Sequence, residues 1–542
     1  MKVMQMDSIT IHNQSKLIEN YRSVDGDISC FFDYHPFNDY RKRAEDLRSR
    51  EFNRTGLADV LLTMNRKWNA PESALENIER LRGDDSMVVV GGQQAGILTG
   101  PLYTINKLIS VITLARKQEN ELGKPVIPVF WIAGEDHDFD EINHIYLSEI
   151  PRLRKSKIPQ QQYGKQSASS LLIDKENSAE WVDFIFSQLK ETIYTKDLYK
   201  AIKESLEQSL TYVDFFAQLI FRLFEKEGIV LVDSGSTELR QLESSHFVQM
   251  VERQQEINGG VMEAYEQLRK KGYSISLEIE EDQANLFYHL NGERILLYRD
   301  EEGNWKGKQD EVKMTTEELI AVAKSHPEQL SNNVVTRPLM QELLFPSLAF
   351  VGGPGEIGYW AALKPAFRSL RLNMPPVVPR LSFTLVDRKV RKAMDKYGIS
   401  AEEAVNKGIA EQRENWLASL NNPPISKIVE ELKSTLDQAH KPLRETAQDI
   451  RADIGDLADK NLEHLNREID FLHKRMVKAV EETHKKEFHE FDHIQAMMFP
   501  NAGLQERTWN PLPFLNENGE TFIQELLAAE WSFEKDHYVV WL

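Results

Sequence analysis

Apolar runs alternate with polar breaks in the first part of the chain. Met87 to Val90 is a short apolar run that predicts a fully buried strand. Gly91 and Gly92 end it, because glycine lets a backbone leave a sheet at angles that other residues avoid. From Leu102 to about Lys117 apolar residues recur at helical spacing, after the entry Thr99 to Pro101, which suits a helix start. This predicts a strand–turn–helix unit, the place where open α/β sheets bind ligands and helix N-termini attract anions. An ordinary βα unit that binds nothing has the same pattern.

Four further buried strands are predicted along the chain, with helices between them. The segments are Val126 to Ala133, Ile229 to Val232, Ser347 to Val351 and Val377 to Ser382. Two stretches interrupt this α/β order. Residues 142 to 228 are predicted to contain two helices, about Ser178 to Thr192 and Asp197 to Lys226. Residues 258 to 330 contain an alternating run around Asn291-Gly292 that signals a β-hairpin.

The character of the chain changes after about Thr384. From Leu443 to Ala479 apolar residues recur in steps of three or four, which predicts a coiled-coil helix roughly 55 Å long. Steps of four from Ile450 to Leu462 predict a local unwinding. So long a seam needs a partner, either the preceding helix Ile425 to Leu436 or a second copy of the chain. Pro500 is predicted to end the helical region.

Composition narrows the class of protein. The chain has 542 residues, 41% of them hydrophobic, so two or three globular domains are expected. There is no apolar run long enough for a membrane span and no N-terminal signal pattern. A net charge of −19 argues against non-specific binding of nucleic acid. Cys30 is the only cysteine, which excludes an internal disulfide and fits the cytoplasm.

The densest ionisable cluster follows the second predicted strand. Glu135, Asp136, His137, Asp138, Asp140 and Glu141 lie within seven residues just past Gly134. Like charges so close together repel one another, so this cluster is unfavourable for stability and indicates a functional site. Three interpretations stay open: an acid/base or amine-binding site, a metal site that uses His137 with carboxylates, and a solvated turn.

A glycine-rich segment follows the fourth predicted strand. Gly353, Gly355 and Gly358 match G-x-G-x-x-G between a strand and a helix. The acidic residue that would hold a ribose hydroxyl is missing near the end of the next strand, where Arg380 stands instead. A nicotinamide enzyme is therefore disfavoured.

Four blocks resemble the family of bacillithiol biosynthesis protein BshC, a cysteine-adding enzyme. They are GGQQAGILTGPLYTINK, PVFWIAGEDHDFDEI, NNVVTRPLMQELLFPSLAFVGGPGEIGYWAALKPAF and LQERTWN. The resemblance covers the whole chain. It implies a Rossmann-like core of the nucleotidyltransferase type with two connecting-peptide insertions, similar to class I aminoacyl-tRNA synthetases, and a dimer through the coiled coil. The implied reaction joins cysteine to the amine of glucosaminyl malate as an amide.

Two departures from the synthetase pattern bear on how cysteine is activated. Tyr103 and Asn106 stand where the two histidines of the synthetase phosphate-binding segment would lie. Arg380 to Thr384 falls where the second signature loop would lie, and it lacks the second lysine. Groups that stabilise a phosphate during adenylation are thus missing. ATP or ADP is nevertheless the expected cofactor.

The candidate site residues fall into three sets. The expected acid/base residues are Asp136, His137 and Asp138. Expected substrate ligands are Gln93, Gln94, Asn106, Glu135, Asn333, Arg337, Gly353, Gly355, Glu356 and Arg380. In this set the arginines are assigned to malyl carboxylates, with a structural ion pair as the alternative, and the amides of Gly353 to Glu356 to an anion. A nucleotide pocket is suggested at Ser382, Phe383, Thr384, Gln505, Arg507 and Asn510. No residue is assigned to a metal.

These expectations give eight segments and two functional hypotheses. The segments are an N-terminal helical part (1–85), the core (86–148, 229–257 and 331–384), two insertions (149–228 and 258–330), the coiled-coil domain (385–500) and a tail that returns to the core (501–542). The preferred function is a ligase for glucosaminyl malate and cysteine. The alternative is a non-catalytic nucleotide-binding scaffold or regulator that the coiled coil dimerises.

Overall fold

The computed structural model describes residues 5–24, 26–161, 164, 166–420 and 424–542. The chain forms two compact units. The larger comprises residues 1–147, 154–384 and 505–540. The smaller consists mainly of residues 385–504. No helix in the described ranges is both long and apolar enough to cross a membrane.

A five-stranded parallel sheet forms the centre of the larger unit. Its strands are β1 (Met87–Gln93), β2 (Val126–Ile132), β3 (Val230–Asp233), β4 (Ser347–Gly352) and β5 (Val377–Pro379). They lie in the order β5-β4-β1-β2-β3, and every neighbouring pair is parallel. Nearly every strand residue is buried, as expected for a sheet covered on both faces. This confirms the predicted α/β core.

The helix Leu102–Leu122 follows β1 and packs on the sheet. It is five residues longer than the apolar pattern indicated, and it ends where Gly123 adopts a left-handed conformation with φ of 62°. That conformation is accessible to glycine at little cost, so it ends the helix. The helices on and around the sheet are Tyr40–Arg48, Arg54–Lys67, Glu72–Arg80, Thr237–Glu252, Gln254–Lys270, Thr336–Leu344, Pro354–Trp360 and Lys364–Ser369.

The insertion before β3 is helical. It contains Lys175–Gln188, Thr195–Gln208 and Tyr212–Leu223, preceded by the two-stranded sheet of His144–Glu149 and Arg152–Lys157. A single helix was predicted from residue 197 to 226, but the structure has two. The break falls at Ser209 to Thr211, where Thr211 caps the new helix and exchanges hydrogen bonds with Asp214. The sequence carries this capping box, which ends one helix and starts another.

The second insertion forms a five-stranded sheet of its own. Its order is Lys313–Met314, Trp305–Gly307, Glu293–Arg299, Gln283–Leu290 and Leu330–Asn332. The predicted hairpin is confirmed, since the strands Gln283–Leu290 and Glu293–Arg299 pair antiparallel around Asn291 and Gly292, both with positive φ. The helix Thr316–Ser325 precedes the last strand, which ends next to the central sheet at Asn332.

The remaining elements outside residues 388–502 are short helices, short 3-10 turns and one further sheet. The helices are Lys16–Arg22, Gly26–Ser29, Phe139–Ile142, Leu512–Asn518 and Thr521–Leu527, and the short 3-10 turns are Ile97–Thr99, Pro327–Gln329 and Gln505–Arg507. A three-stranded sheet has the order Gln5–Ile9, His537–Trp541, Phe383–Val386. The predicted fifth core strand, Val377 to Ser382, is too long. The structure ends β5 at Pro379 instead, and Phe383 begins a strand in a different sheet.

The smaller unit is helical. Its elements are Arg388–Tyr397, Ala401–Lys407, Ala410–Ser419, Ile425–Ile450, Ala452–Thr483, Lys485–Met498 and the 3-10 turn Pro500–Ala502. The prediction of one helix through residues 443 to 479 is wrong, because the helix ends at Ile450 and restarts at Ala452, with Arg451 extended at φ of −173°. The break falls where the spacing predicted unwinding. Lys433 bonds Asp470 and His440 contacts Asn461, so the two long helices pair antiparallel within the chain.

Candidate active site at the carboxyl edge of the central sheet

The order of the central strands creates a crevice between β1 and β4. The chain moves outward to β2 and β3 on one side of β1, and to β4 and β5 on the other. In open parallel sheets such a reversal leaves a gap at the carboxyl ends of the strands, and ligands bind there. The predicted site residues that follow β1 and β4 therefore meet at one edge.

Lys107 occupies the crevice from the helix Leu102–Leu122. Its side chain is 2% exposed, and its ammonium donates to the carbonyl oxygen of Gly92 at 2.6 Å, to Gln93 Oε1 at 3.2 Å and to Glu356. Burial lowers the pKa of Lys107, and Glu356 opposes that shift. A Cβ on Gly91 would lie 2.6 Å from Val111 and 3.4 Å from the Lys107 side chain, so this close approach requires glycine.

Glu356 links the crevice to the glycine-rich segment after β4. Its carboxylate accepts from the backbone N–H of Gly353 at 2.8 Å, which caps the helix Pro354–Trp360. Burial alone would raise the pKa of Glu356, but Lys107, Arg337 and the Gly353 amide bring it below the ordinary value. Gly355 lies inside this helix, and a Cβ there would meet no atom within 4 Å. The segment thus begins a helix and is not an extended phosphate loop.

Arg337 interacts with residues that follow both β2 and β4. Its guanidinium donates to the hydroxyl of Tyr359 and interacts electrostatically with both Glu356 and Glu135. Burial would lower the pKa of Arg337, but these three groups raise it, so the charge is retained. Its Nε is buried without a hydrogen-bond partner in the described part of the chain. Arg337 therefore has hydrogen-bonding capacity for a ligand.

Glu135, in the loop after β2, belongs to a buried charged cluster. It pairs with Arg240, which also donates to Glu243 at 2.9 Å, and all three side chains are at most 5% exposed. One guanidinium serves two carboxylates, and burial raises the pKa of Glu243 to about 7. Asp233, at the end of β3, accepts from Ser169 Oγ at 2.7 Å, and burial raises its pKa to about 6.

The predicted acid/base residues lie at the open side of this cluster. Gln94 donates its amide to Asp136 at 2.7 Å and to Glu141 at 2.6 Å, so the two predicted segments do meet. His137 lies beside Asp136, with 3.9 Å between Nδ1 and Oδ1. Asp136 and His137 are half-buried, whereas Asp138 is exposed at the start of a short helix. In the described residues, no group of three or more ligating side chains is arranged to hold a metal ion.

Asn333 is placed at a helix start. Its Oδ1 accepts from the backbone N–H groups of Val335 at 2.8 Å and Thr336 at 3.1 Å, and its amide donates to Asn285 at 2.9 Å. These contacts fix the start of the helix Thr336–Leu344, which carries Arg337. Asn333 thus positions an arginine of the edge, and its own amide groups are engaged within the chain.

Arg380 and Asn106 converge on Glu506, which comes from the C-terminal tail. Arg380 donates to both oxygens of Glu506 at 2.7 and 2.5 Å, and Asn106 donates to it at 2.6 Å. All three residues are at most 6% exposed. A substrate carboxylate can reach the Arg380 guanidinium only by displacing Glu506. For Arg380 the two interpretations were binding of a malyl carboxylate and a structural ion pair. The structure shows the ion pair, with Glu506.

The suggested nucleotide-binding residues are largely occupied by contacts inside the chain. His537 bridges the hydroxyls of Ser382 and Thr384, each at 2.8 Å, and Asn510 donates to the carbonyl oxygens of Leu98 and Gly100. Phe383 is fully buried against Trp531, and Gln505 is also fully buried. Only Arg507 in this set is exposed. Apart from Arg507, these residues do not present a free polar surface.

The sequence did not assign roles to several residues of the edge. Lys107 had a local signal, because it is a lysine among the buried apolar positions of an amphipathic helix. The others, Arg240, Glu243, Glu506 and His537, come from distant segments. Nothing near them in the sequence indicates which charged group they meet, so only the folded chain reveals them.

Comparison with known proteins gives a family match along nearly the whole chain. Residues 4–381 match the family described as "Bacillithiol biosynthesis BshC, N-terminal Rossmann-like domain". Residues 383–542 match "Bacillithiol biosynthesis BshC, C-terminal coiled-coil domain".

Full-length relatives carry the same name. Proteins named "Putative cysteine ligase BshC" from Oceanobacillus iheyensis and Bacillus licheniformis are 41% and 39% identical to this chain. One from Geobacillus kaustophilus is also 39% identical. Each alignment covers 99% of this chain and 100% of the relative.

Proposed function

Because this chain belongs to the BshC family of bacillithiol biosynthesis proteins, we propose that it is a ligase that joins cysteine to the amine of glucosaminyl malate through an amide bond. The observation that carries the proposal is the meeting of carboxylates and guanidinium groups at one edge of the sheet. An acceptor with an amine and two carboxylates needs both kinds of group in one place.

The amine of the acceptor is held on the acidic side of the edge. Asp136 is half-buried, oriented by Gln94, and adjacent to His137. The amine nitrogen attacks the acyl carbon of an activated cysteine, and the leaving group departs with its electron pair. The nitrogen loses one proton in this step, which Asp136 or His137 accepts. Asp138 is further into solvent and is the weaker candidate for this role.

The carboxylate side of the acceptor is held by Arg337. Its buried Nε has no hydrogen-bond partner in the described ranges, and its charge is retained. A guanidinium binds a carboxylate through two parallel hydrogen bonds, which fixes orientation as well as position. Lys107 and Glu356 fix the floor of the crevice, since both are engaged with the ends of β1 and β4.

ATP or ADP remains the proposed cofactor, but no step is assigned to a nucleotide. The residues suggested for it fit poorly, because Ser382, Thr384 and Asn510 are engaged within the chain. The first N–H of the helix after β1 donates to the carbonyl oxygen of Trp509, so the tail occupies the helix end that would receive a phosphate.

The test is a product assay with purified protein. Glucosaminyl malate, cysteine, magnesium and ATP are supplied, and the thiol product is followed by mass spectrometry together with AMP and ADP. We expect product, and we expect Asp136→Asn to lower its rate by about 100-fold or more. The matched control is Asp140→Asn, because Asp140 is exposed and pairs with Lys157 outside the crevice.

The assay also decides between a ligase and a scaffold. Product with AMP indicates an adenylate, and product with ADP indicates an acyl phosphate. If folded protein yields no product even when cell extract supplies other donors, the ligase proposal is wrong. The non-catalytic scaffold then becomes the better hypothesis.

A further inference from the structure

The inserted sheet contains a buried arginine that lacks a carboxylate partner. Arg294 is 9% exposed and donates to Ser331 Oγ at 3.1 Å and to the carbonyl oxygen of Asn332 at 2.5 Å. Its guanidinium lies 3.8 Å from the centre of the Phe287 ring. Among the described residues it forms no ion pair. The other buried arginines, Arg43, Arg240 and Arg380, each pair with a glutamate.

An unpaired buried guanidinium is unfavourable unless a ligand supplies an opposite charge. A charge removed from water must regain its solvation from an opposite charge or from hydrogen bonds. Burial lowers the pKa of Arg294, and Glu135 and Asp136 offset part of that effect from a distance. The ring of Phe287 and two neutral oxygens do not replace a carboxylate. The guanidinium of Arg294 is therefore suited to bind an anionic ligand.

Neighbouring side chains on the same face of the inserted sheet complete a polar surface. His289 pairs with Arg294 across the strands, and Phe287 pairs with Ser331. Residues two apart on a strand share a face, so Phe287 and His289 lie on the face that carries Arg294. His289 Nε2 lies 2.8 Å from Ser331 Oγ, and burial lowers the pKa of His289 to about 4. Phe287 and His289 are only half-buried, which leaves a route for a ligand.

This surface is joined to the candidate active site. The backbone N–H of Asn332, the residue that accepts from Arg294, donates to Glu135 at 3.4 Å. Glu135 interacts electrostatically with Arg294 and with Arg337. Arg294 and Arg337 thus share an electrostatic interaction with Glu135, whose carboxylate is already paired with Arg240.

We infer that Arg294 binds a carboxylate of the malyl group of the acceptor. This inference rests on the proposed function and deepens it. The malyl group carries two carboxylates, and with Arg380 held by Glu506, Arg337 and Arg294 are the arginines at this edge that retain capacity for them. In a glucosaminyl glycoside the amine is on the carbon next to the glycosidic carbon. An acid for the amine and an arginine for the malyl group must therefore lie within reach of one ligand, and Asp136 interacts electrostatically with Arg294.

The test is equilibrium binding by calorimetry, which does not depend on turnover. The probes are glucosaminyl malate, methyl glucosaminide, which lacks both carboxylates, and L-cysteine. We expect Arg294→Gln to lower the affinity for glucosaminyl malate by about 10- to 100-fold. The affinities for methyl glucosaminide and L-cysteine should stay unchanged. Arg294→Lys keeps the positive charge but lacks the planar guanidinium. Its affinity for glucosaminyl malate should lie between those of Arg294→Gln and the unsubstituted protein. Arg299→Gln is the matched control, because Arg299 is on the same strand and its side chain contacts the nearby carbonyl oxygen of Gly303 and the Trp305 ring.

Each outcome bears on one proposal. If folded Arg294→Gln binds glucosaminyl malate as tightly as the unsubstituted protein, the inference is wrong while the proposed function stands. If L-cysteine binding is lost instead, the arginine serves the amino acid and the malyl assignment is overturned. If the unsubstituted protein binds no glucosaminyl malate, the proposed acceptor itself is wrong, and the assignment of Arg294 falls with it.

Discussion

Arg380 and Glu506 form a bidentate ion pair between residues 126 positions apart in the chain, and both side chains are at most 5% exposed. The pair joins the loop after β5 to the C-terminal tail. Asn106, from the helix after β1, adds a third hydrogen bond to the same carboxylate. Three distant segments are therefore connected through one buried glutamate.

Glu506→Gln should destabilise the fold strongly. The substitution leaves the Arg380 guanidinium buried without its counter-charge, and breaking a buried pair in this way costs about 3–5 kcal/mol. Denaturant unfolding followed by circular dichroism measures the loss. The neighbouring variant Arg507→Gln is the control, because Arg507 is exposed, and its effect should stay within about 0.5 kcal/mol. Equal stability of the two variants would contradict the structural role of the pair.

Lys107→Met should lower activity more than stability alone explains. Lys107 fixes the carbonyl oxygen of Gly92 and the Glu356 carboxylate, so its loss shifts the ends of β1 and β4. A displacement of about 1 Å at a reacting centre costs roughly 100-fold in rate. Steady-state kinetics at a temperature where the variant is folded gives kcat/KM. Lys117→Met, on the same helix but exposed, should behave like the unsubstituted enzyme. Unchanged kcat/KM in Lys107→Met would remove the lysine from the site.

His537 should make the fold sensitive to acid. Burial lowers the pKa of His537 to about 4 in the folded chain, whereas an exposed histidine has a pKa near 6.5. The unfolded state therefore binds the proton first, so the stability that this histidine contributes is present above about pH 6.5 and is lost as pH falls toward 4. The shift corresponds to at most about 3 kcal/mol.

The measurement is the free energy of unfolding as a function of pH. The unsubstituted protein should lose stability between pH 6.5 and 4, and His537→Gln should lose less over the same interval. Glutamine retains hydrogen-bonding groups for Ser382 and Thr384 but does not titrate. Parallel curves for the two proteins would show that the acid sensitivity has another origin.

The smaller unit should dimerise through its long helices. Ile428, Leu432, Leu443 and Ile450 are exposed on Ile425–Ile450, and their spacing places them on one face of the helix. The paired helix exposes further large apolar residues, which are Leu457, Leu465, Phe471, Leu472 and Met476. We expect light scattering to give twice the mass of one chain. Leu432→Glu with Leu443→Glu should yield a monomer, whereas Glu430→Gln should not. A monomeric unsubstituted protein would contradict this prediction.

Local patterns determined which segments form strands and helices. The period of apolar residues predicted the buried strands of the core, and Asn291-Gly292 predicted the hairpin because few residues tolerate the positive φ of its turn. The same patterns placed Gln94 and Asp136 at strand ends. Since parallel strands end at one edge, both residues lie at the same edge of the sheet, where Gln94 donates to Asp136. Where a local rule was overlooked, as with the capping box at Thr211, a helix was predicted too long.

Only the tertiary structure decided which charges are satisfied and which remain available. The sequence could not show which of Arg380, Arg337 and Arg294 is paired within the chain and which is available to a ligand. That difference depends on the groups that the fold places around each guanidinium. Folding brings Glu506 to Arg380 from 126 residues away. It leaves Arg337 in electrostatic interaction with Glu356 and Glu135, and it buries Arg294 without an ion pair in the described chain. The energy of a charge depends on its distance to other charges and to water, and the fold alone sets those distances.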